Sequence, residues 1–228
     1  MIPELPTELR EIILSYLTRK EYKQSVPCKS LLLCKSYLSL EEFSVLKELP
    51  KVKLSSEELE QLFFHSCEND NLWLMNKLIT IFKVDPSVED NHVIRLTSEF
   101  GYTKVIERLL QDSRVDPSAN DNDAIRRASY HNHPELVKIL LQDPRVDPSA
   151  DDNYAIRWAS WNGNTEVVKR LLQHPKVDPS AYDNFALKFA EANEHTEIVK
   201  LLLQDPRVSA LKEITEDFRL GSSIQFRI

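Results

Sequence analysis

Few residues in this chain stand at the spacings that bond-making chemistry needs. The six histidines are scattered, and His131-x-His133 is the one close pair. Pro134 follows directly, and no cysteine or carboxylate set completes a tetrahedral metal site, so the pair reads as a polar helix junction. Aspartate precedes proline at Asp85, Asp116, Asp147 and Asp178, which invites a reading as calcium ligands or catalytic carboxylates. Their constant 31-residue step points instead to structural turns, because such residues are strung along a row and do not converge. The sequence holds no nucleophile elbow, Walker loop, HExxH or CxxC. Cys28, Cys34 and Cys67 follow no disulfide framework and fit reduced thiols of an intracellular, cytoplasmic protein. The expectation is no catalytic residue, no metal, no cofactor and no enzyme.

Recognition chemistry is better represented. Counting by threes and fours from Trp158 puts Tyr154, Trp158, Trp161 and Asn162 on one helical stripe. Equivalent stripes are His92, Leu96, Glu99 and Phe100; Asp123, Arg127, Tyr130 and His131; and Phe185, Phe189, Ala192 and Asn193. Tyr, Trp and Arg dominate interface energetics. Tyr130 and Trp161 are expected at the surface. For Trp158 and Phe189 two placements stay open, facing a partner or wedged between adjacent helices.

The elements that must carry these stripes follow from a repeat. Val-Asp-Pro-Ser recurs at Val84, Val115, Val146 and Val177, and Val208 keeps the step although Ser209 replaces the aspartate. Asp-Asn recurs at Asp90, Asp121, Asp152 and Asp183. Units therefore span 85–115, 116–146, 147–177 and 178–208, with a degenerate unit at 54–84. Within one unit, Asp147-Pro148-Ser149 is turn chemistry. Asn153 is expected to cap a first helix, with Ala155, Ile156, Ala159 and Ser160 as its small apolar face. Asn162-Gly163 breaks that helix. Thr165-Glu166 opens a second, whose stripe is Val167, Val168, Leu171 and Leu172. Each helix is about two turns, too short to persist alone, so stacking must stabilise it.

This unit resembles an ankyrin repeat. The family's Thr-Pro-Leu-His-x-Ala-Ala-x-x-Gly-His pattern falls on Tyr154 through Asn164, although its Thr-Pro and His are absent. The step is 31 against a usual ~33, which shortens the projecting finger. The resemblance implies an all-α helix-pair solenoid whose groove is lined by the first helices. The candidate contacts for a partner protein are then Phe100, Arg127, Tyr130, His131, Tyr154, Trp158, Trp161, Asn162, Phe185 and Asn193. The Asp-Pro-Ser-Ala variant is similar to ankyrin arrays of large DNA viruses infecting amoebae and algae.

Residues 1–53 do not keep the step. The spacing of Leu9, Ile12, Ile13, Tyr16 and Leu17 predicts an amphipathic helix entered from Pro6. The segment is similar to an F-box: Leu-Pro-x-Glu-Leu falls on Leu5, Pro6, Glu8 and Leu9, and Ile-Leu-x-Tyr-Leu on Ile13, Leu14, Tyr16 and Leu17. The family's Cys-Lys falls on either Cys28-Lys29 or Cys34-Lys35, and its tryptophan is missing from both. The resemblance implies that Ile2, Leu5, Pro6, Leu9, Ile13 and Leu17 dock a Skp-type adaptor of a cullin–RING ubiquitin ligase. The other reading is a cap on the array.

Phe63, Phe64, Trp73, Leu74 and Met75 are bulkier than their counterparts, which suits a junction packing on the N-terminal helices, and Trp73 is expected to be a core residue. At the other end, 209–228 is expected to hold a capping helix over Leu211–Leu220 and a tail. The net charge of −7 weighs against nucleic acid as a partner. No apolar run approaches the ~18 residues of a membrane span, and Glu4 and Glu8 spoil a signal peptide. The chain is read as a monomer.

Overall fold

The computed structural model describes residues 55–214, and every regular element among them is a helix. The described residues divide into two units, with the boundary between 85 and 86. The candidate adaptor residues Ile2, Leu5, Pro6, Leu9, Ile13 and Leu17 lie outside the described residues, as does the chain beyond 214.

In the first unit α1 (Ser56–Glu68) and α2 (Leu72–Thr80) pack on each other. Phe63, Met75, Leu78, Ile79 and Val84 are buried. Asn71 caps α2, its side chain accepting the Leu74 N–H at 3.1 Å. Burial pushes the Cys67 thiol up to about 12, so it stays protonated and acts as packing, not as a nucleophile. Trp73 corrects the expectation of a core residue: it is 36% exposed, with the Lys77 ammonium 5.9 Å from its ring centre. The buried sites of its helix are Met75, Leu78 and Ile79, two, five and six residues further along.

The second unit alternates longer first helices with short second helices. The first helices are α3 (Val88–Phe100), α5 (Ala119–Tyr130), α7 (Ala150–Trp161) and α9 (Ala181–Ala192). The second helices are α4 (Thr103–Leu109), α6 (Pro134–Leu140), α8 (Thr165–Leu172) and α10 (Thr196–Leu202). Each first helix packs on the next first helix, and each second helix on its own first helix and on the neighbouring second helix. The result is the two-layer helix-pair solenoid that the repeat requires. Its core is periodic. Val115, Val146, Val177 and Val208 are buried, as are Ala124 and Ala128, Ala155 and Ala159, Ala186 and Ala190. Alanines at these sites let first helices approach closely, while Val167, Val168 and Leu171 fill the space under them.

Between units, Asp147 takes both groups of Ser149, the N–H at 3.1 Å and the hydroxyl at 2.7 Å, and Pro148 is buried. Asp116 and Asp178 do the same with Ser118 and Ser180. Three left-handed residues then follow in every unit: 89–91, 120–122, 151–153 and 182–184, with φ between 52° and 60°. That region is costly for most L-residues and tolerated by Asn and Asp, which explains the recurrent Asp-Asn.

Asn153 is where the local expectation fails. It does not cap its helix. It sits at φ 60°, and its Oδ1 accepts the N–H of Asp178 in the next unit at 2.7 Å. Asn91 and Asn122 bind Asp116 and Asp147 in the same way. The bends are thereby tied into a line. At the C-terminal side the last helical segment begins at 206, five residues before the expected start at Leu211. No proline follows Val208 to stop it.

Candidate partner-binding surface

The first helices of the second unit present their aromatic residues on one face. Tyr130 (α5) lies 6.1 Å from Trp158 (α7), measured between ring centres. Trp158 meets Tyr154 at 5.6 Å, Trp161 at 5.4 Å and Phe185 (α9) at 6.0 Å. Trp161 meets Phe189 at 4.3 Å, and Phe185 meets Phe189 at 4.1 Å. Tyr182 adds an edge contact to Phe185 at 6.3 Å. Seven rings from three units thus form a continuous ladder with offset, tilted geometries typical of favourable aromatic pairs.

Trp158 and Phe189 are half-buried, stacking between adjacent first helices while keeping part of each ring outside. Trp161, expected at the surface, is also half-buried, because Phe189 covers it. Tyr130 is 40% exposed as expected. Phe100 is 49% exposed but stacks on Tyr102 at 5.6 Å, apart from the ladder. His131 stands edge-on to Tyr130 at 5.0 Å. Asn193 donates back to the Phe189 carbonyl at 2.9 Å, and Asn162 donates to the Tyr130 carbonyl of the preceding unit at 3.0 Å.

Beside the ladder lies a depression of about 310 Å³ lined by Glu99, Asp123, Arg126, Arg127, Tyr130, His131 and Tyr154. Asp123 is nearly buried and draws in three arginines: Arg127 at 2.7 Å, Arg95 at 3.4 Å and Arg126 at 3.5 Å. Arg127 also pairs with Glu99. Burial opposes the Arg127 cation, but the bonds and charges of Asp123 and Glu99 outweigh it and raise its pKa. Arg127 is therefore committed to structure as well as facing the depression.

Two sets of residues with a 31-residue step escaped the sequence reading. Arg95, Arg126 and Arg157 reach forward to Asp123, Tyr154 and Phe185, each 28 residues on, the latter two with the guanidinium 5.2 Å from the ring centre. The residues before the second helices reach backward. His133 donates from Nε2 to the Glu99 carbonyl at 2.8 Å, Asn164 to Ser129 at 2.8 Å, and His195 to Trp161 at 3.0 Å. His133 is thus the polar junction that the sequence suggests, with a defined partner. Gly101 and Gly163, at φ 73° and 76°, make room: a Cβ on Gly101 would lie 2.4 Å from His133 Nδ1. Both signals were present as periodic residues, yet their partners are a whole unit away.

Among the described residues no His, Cys, Asp and Glu group is placed to hold a metal ion. No helix among them is long and apolar enough to cross a membrane. The surface combines packed rings, ion-paired arginines and a backbone tied by cross-unit hydrogen bonds.

Residues 127–212 match the family model described as ankyrin repeats (3 copies). Ankyrin repeats are protein–protein interaction modules, and the matched stretch carries the whole ladder from Tyr130 to Phe189. It spans less than half of the chain. No curated protein matches the sequence.

Proposed function

We propose that this chain is a binding adaptor that holds a target protein on the aromatic ladder. The observation that carries the reading is the continuity of the ladder: rings of three successive first helices touch while each stays partly open. Such residues lose little conformational freedom on binding, because neighbouring rings already hold them. Phe100, Arg127, Tyr130, His131, Tyr154, Trp158, Trp161, Asn162, Phe185 and Asn193 remain the proposed contacts, with Tyr130 at the open edge.

The finer reading joins this surface to the F-box-like segment. Ile2, Leu5, Pro6, Leu9, Ile13 and Leu17 would hold a Skp-type adaptor, so that the captured protein is presented to a cullin–RING ubiquitin ligase. Bond chemistry then belongs to the ligase, and this chain contributes binding alone. If the likeness to viral arrays holds, both partners are host proteins. Support for this half is the Leu5 to Leu17 motif alone.

Co-purification of the tagged full chain from cells separates the two halves. Tyr130→Ala should lose the target and keep the Skp-type adaptor. Leu9→Asp with Ile13→Asp should do the reverse. An adaptor kept by the Leu9/Ile13 variant sinks the ligase reading and leaves a plain binding or decoy protein. A target kept at full level by Tyr130→Ala sinks the ladder.

A further inference from the structure

We infer that the ladder takes a cationic peptide segment, with arginine side chains laid against its open rings. The inference rests on the ladder being the partner surface. It follows from the charge left over on the first helices. Those four helices carry nine acids and five bases, whereas the four second helices carry four acids and six bases. All five bases of the first-helix row are engaged within the row. Arg95 and Arg127 hold Asp123, Arg126 holds Asp151, and Lys188 holds Asp183. Arg157 is only 8% exposed and donates to the Asp151 carbonyl at 3.0 Å.

The acids are not used up. Asp123, Asp151, Asp183, Glu99 and Glu191 have cationic partners, the last in Lys212 at 2.8 Å. Glu89, Asp90, Asp121 and Asp152 are exposed and make no ion pair among the described residues. They stand in the left-handed turns that lead into the first helices. Asp121 and Asp152 open α5 and α7, two of the three helices that carry the ladder, so a partner lying along the rings runs beside helices that begin at unpaired carboxylates; Glu89 and Asp90 open α3, the helix before them. Such a field favours and steers cations and repels acidic segments.

The chain already makes this contact internally. Arg126 lies over Tyr154 at 5.2 Å and Arg157 over Tyr182 at 4.8 Å. Guanidinium against these rings is thus a geometry the surface accommodates, and Tyr182 at 66% exposed and Tyr130 at 40% keep open area for another. Arginine is favoured over lysine because its planar group stacks on a ring face and is more weakly hydrated.

The test uses the full chain and three fluorescein-labelled dodecapeptides with Arg, Lys or Glu at every third position and Leu and Ser between. Fluorescence anisotropy should show the arginine peptide binding at least about tenfold tighter than the glutamate peptide, with lysine between. Raising NaCl from about 50 to about 300 mM should weaken it about fivefold or more. Asp121→Asn with Asp152→Asn should weaken it several-fold and flatten the salt dependence, with an unchanged far-UV spectrum. Glutamate binding as tight as arginine, an unaffected double variant, or no arginine binding up to about 1 mM overturns the inference. If the glutamate peptide binds and Tyr130→Ala abolishes it, the surface stands and only its charge preference falls. If binding occurs and Tyr130→Ala weakens no peptide, the surface itself is wrong. Self-association that the arginine peptide does not displace would assign the face to a second copy of the chain.

Discussion

Asn153 Oδ1 accepts the backbone N–H of Asp178 at 2.7 Å, twenty-five residues along the chain. One side chain thereby fixes two things: the last left-handed residue of its own turn, and the first residue of the next bend. Asn153→Ala removes the acceptor and also places a Cβ residue without a compensating side chain at φ 60°. The left-handed cost is about 1 kcal/mol and the stranded amide about 1–3 kcal/mol, so a loss of about 2–4 kcal/mol is expected in urea unfolding. Asn153→Gly keeps the backbone conformation and should lose only the amide's share, about 1–3 kcal/mol, so about 1 kcal/mol less than Asn153→Ala. Equal stabilities for the two variants would show that the left-handed strain is not held by Asn153.

Ser129 and Ser160 sit at equivalent places on α5 and α7, fully buried, and their hydroxyls find no partner among the described residues. Their counterpart Ser98 donates to the Ile94 carbonyl at 2.6 Å. A buried hydroxyl without a bond is costly, and alanine is the better helix former. Ser129→Ala and Ser160→Ala should each stabilise the array by about 0.5–1 kcal/mol, and Ser98→Ala should not. Thermal unfolding of the three single variants decides this. Destabilisation by all three would show that the Ser129 and Ser160 hydroxyls do make bonds.

The bends should make the array sensitive to acid. The Ser149 hydroxyl, then its N–H against some desolvation, holds the Asp147 carboxylate below its ordinary 3.8, with Lys176 and His174 adding positive charge. Asp112, Asp143 and Asp205 are lowered mainly by the side chain of an arginine two residues on. A carboxyl whose folded pKa is lowered binds fewer protons folded than unfolded. Its contribution is complete above the ordinary value and disappears as pH falls through the lowered one. The Tm should therefore hold from neutral pH to about 4.5 and drop below about 4. Asp147→Asn keeps an acceptor for Ser149 but cannot titrate, so its Tm should decline less steeply in that window. A slope identical to the natural chain would remove Asp147 from the acid response.

Much of this was legible in the 31-residue step. Proline and the small-residue face located the bends and both helices of each unit, and the stripes counted from Trp158 hold six of the seven ladder rings; Tyr182 stands in a left-handed turn, off every stripe. What escaped was every contact with a partner one unit away. Asparagine favours both helix caps and left-handed positions, so Asn153 alone cannot say which role it fills. Its partner, Asp178, is invisible until the units are stacked. Helical counting places Trp161 outward, yet Phe189 of the next unit closes over it. Trp73 failed in the opposite sense: bulk suggested core, and its helix buries Met75, Leu78 and Ile79 instead.

Asn184 is the exception among the four turn asparagines, and it defines where the line of bends stops. It is 3% exposed and donates to the Val208 carbonyl at 3.0 Å, but its Oδ1 has no partner among the described residues. In earlier units that oxygen takes the amide of an aspartate followed by proline. Here the residue after Val208 is Ser209, no proline follows, and the Ser209 amide turns into the helix to bond Asp205 at 3.2 Å. The acceptor is left bare by the same change that lets the last helix start at 206. Truncating Asn184 therefore removes one bond and also an unsatisfied buried atom, two effects of opposite sign. Asn184→Gly should cost about 1 kcal/mol less than Asn153→Gly, measured by urea unfolding of the full chain under one condition. Equal losses at the two positions would mean that the Asn184 oxygen is satisfied after all and that the bends continue past Val208.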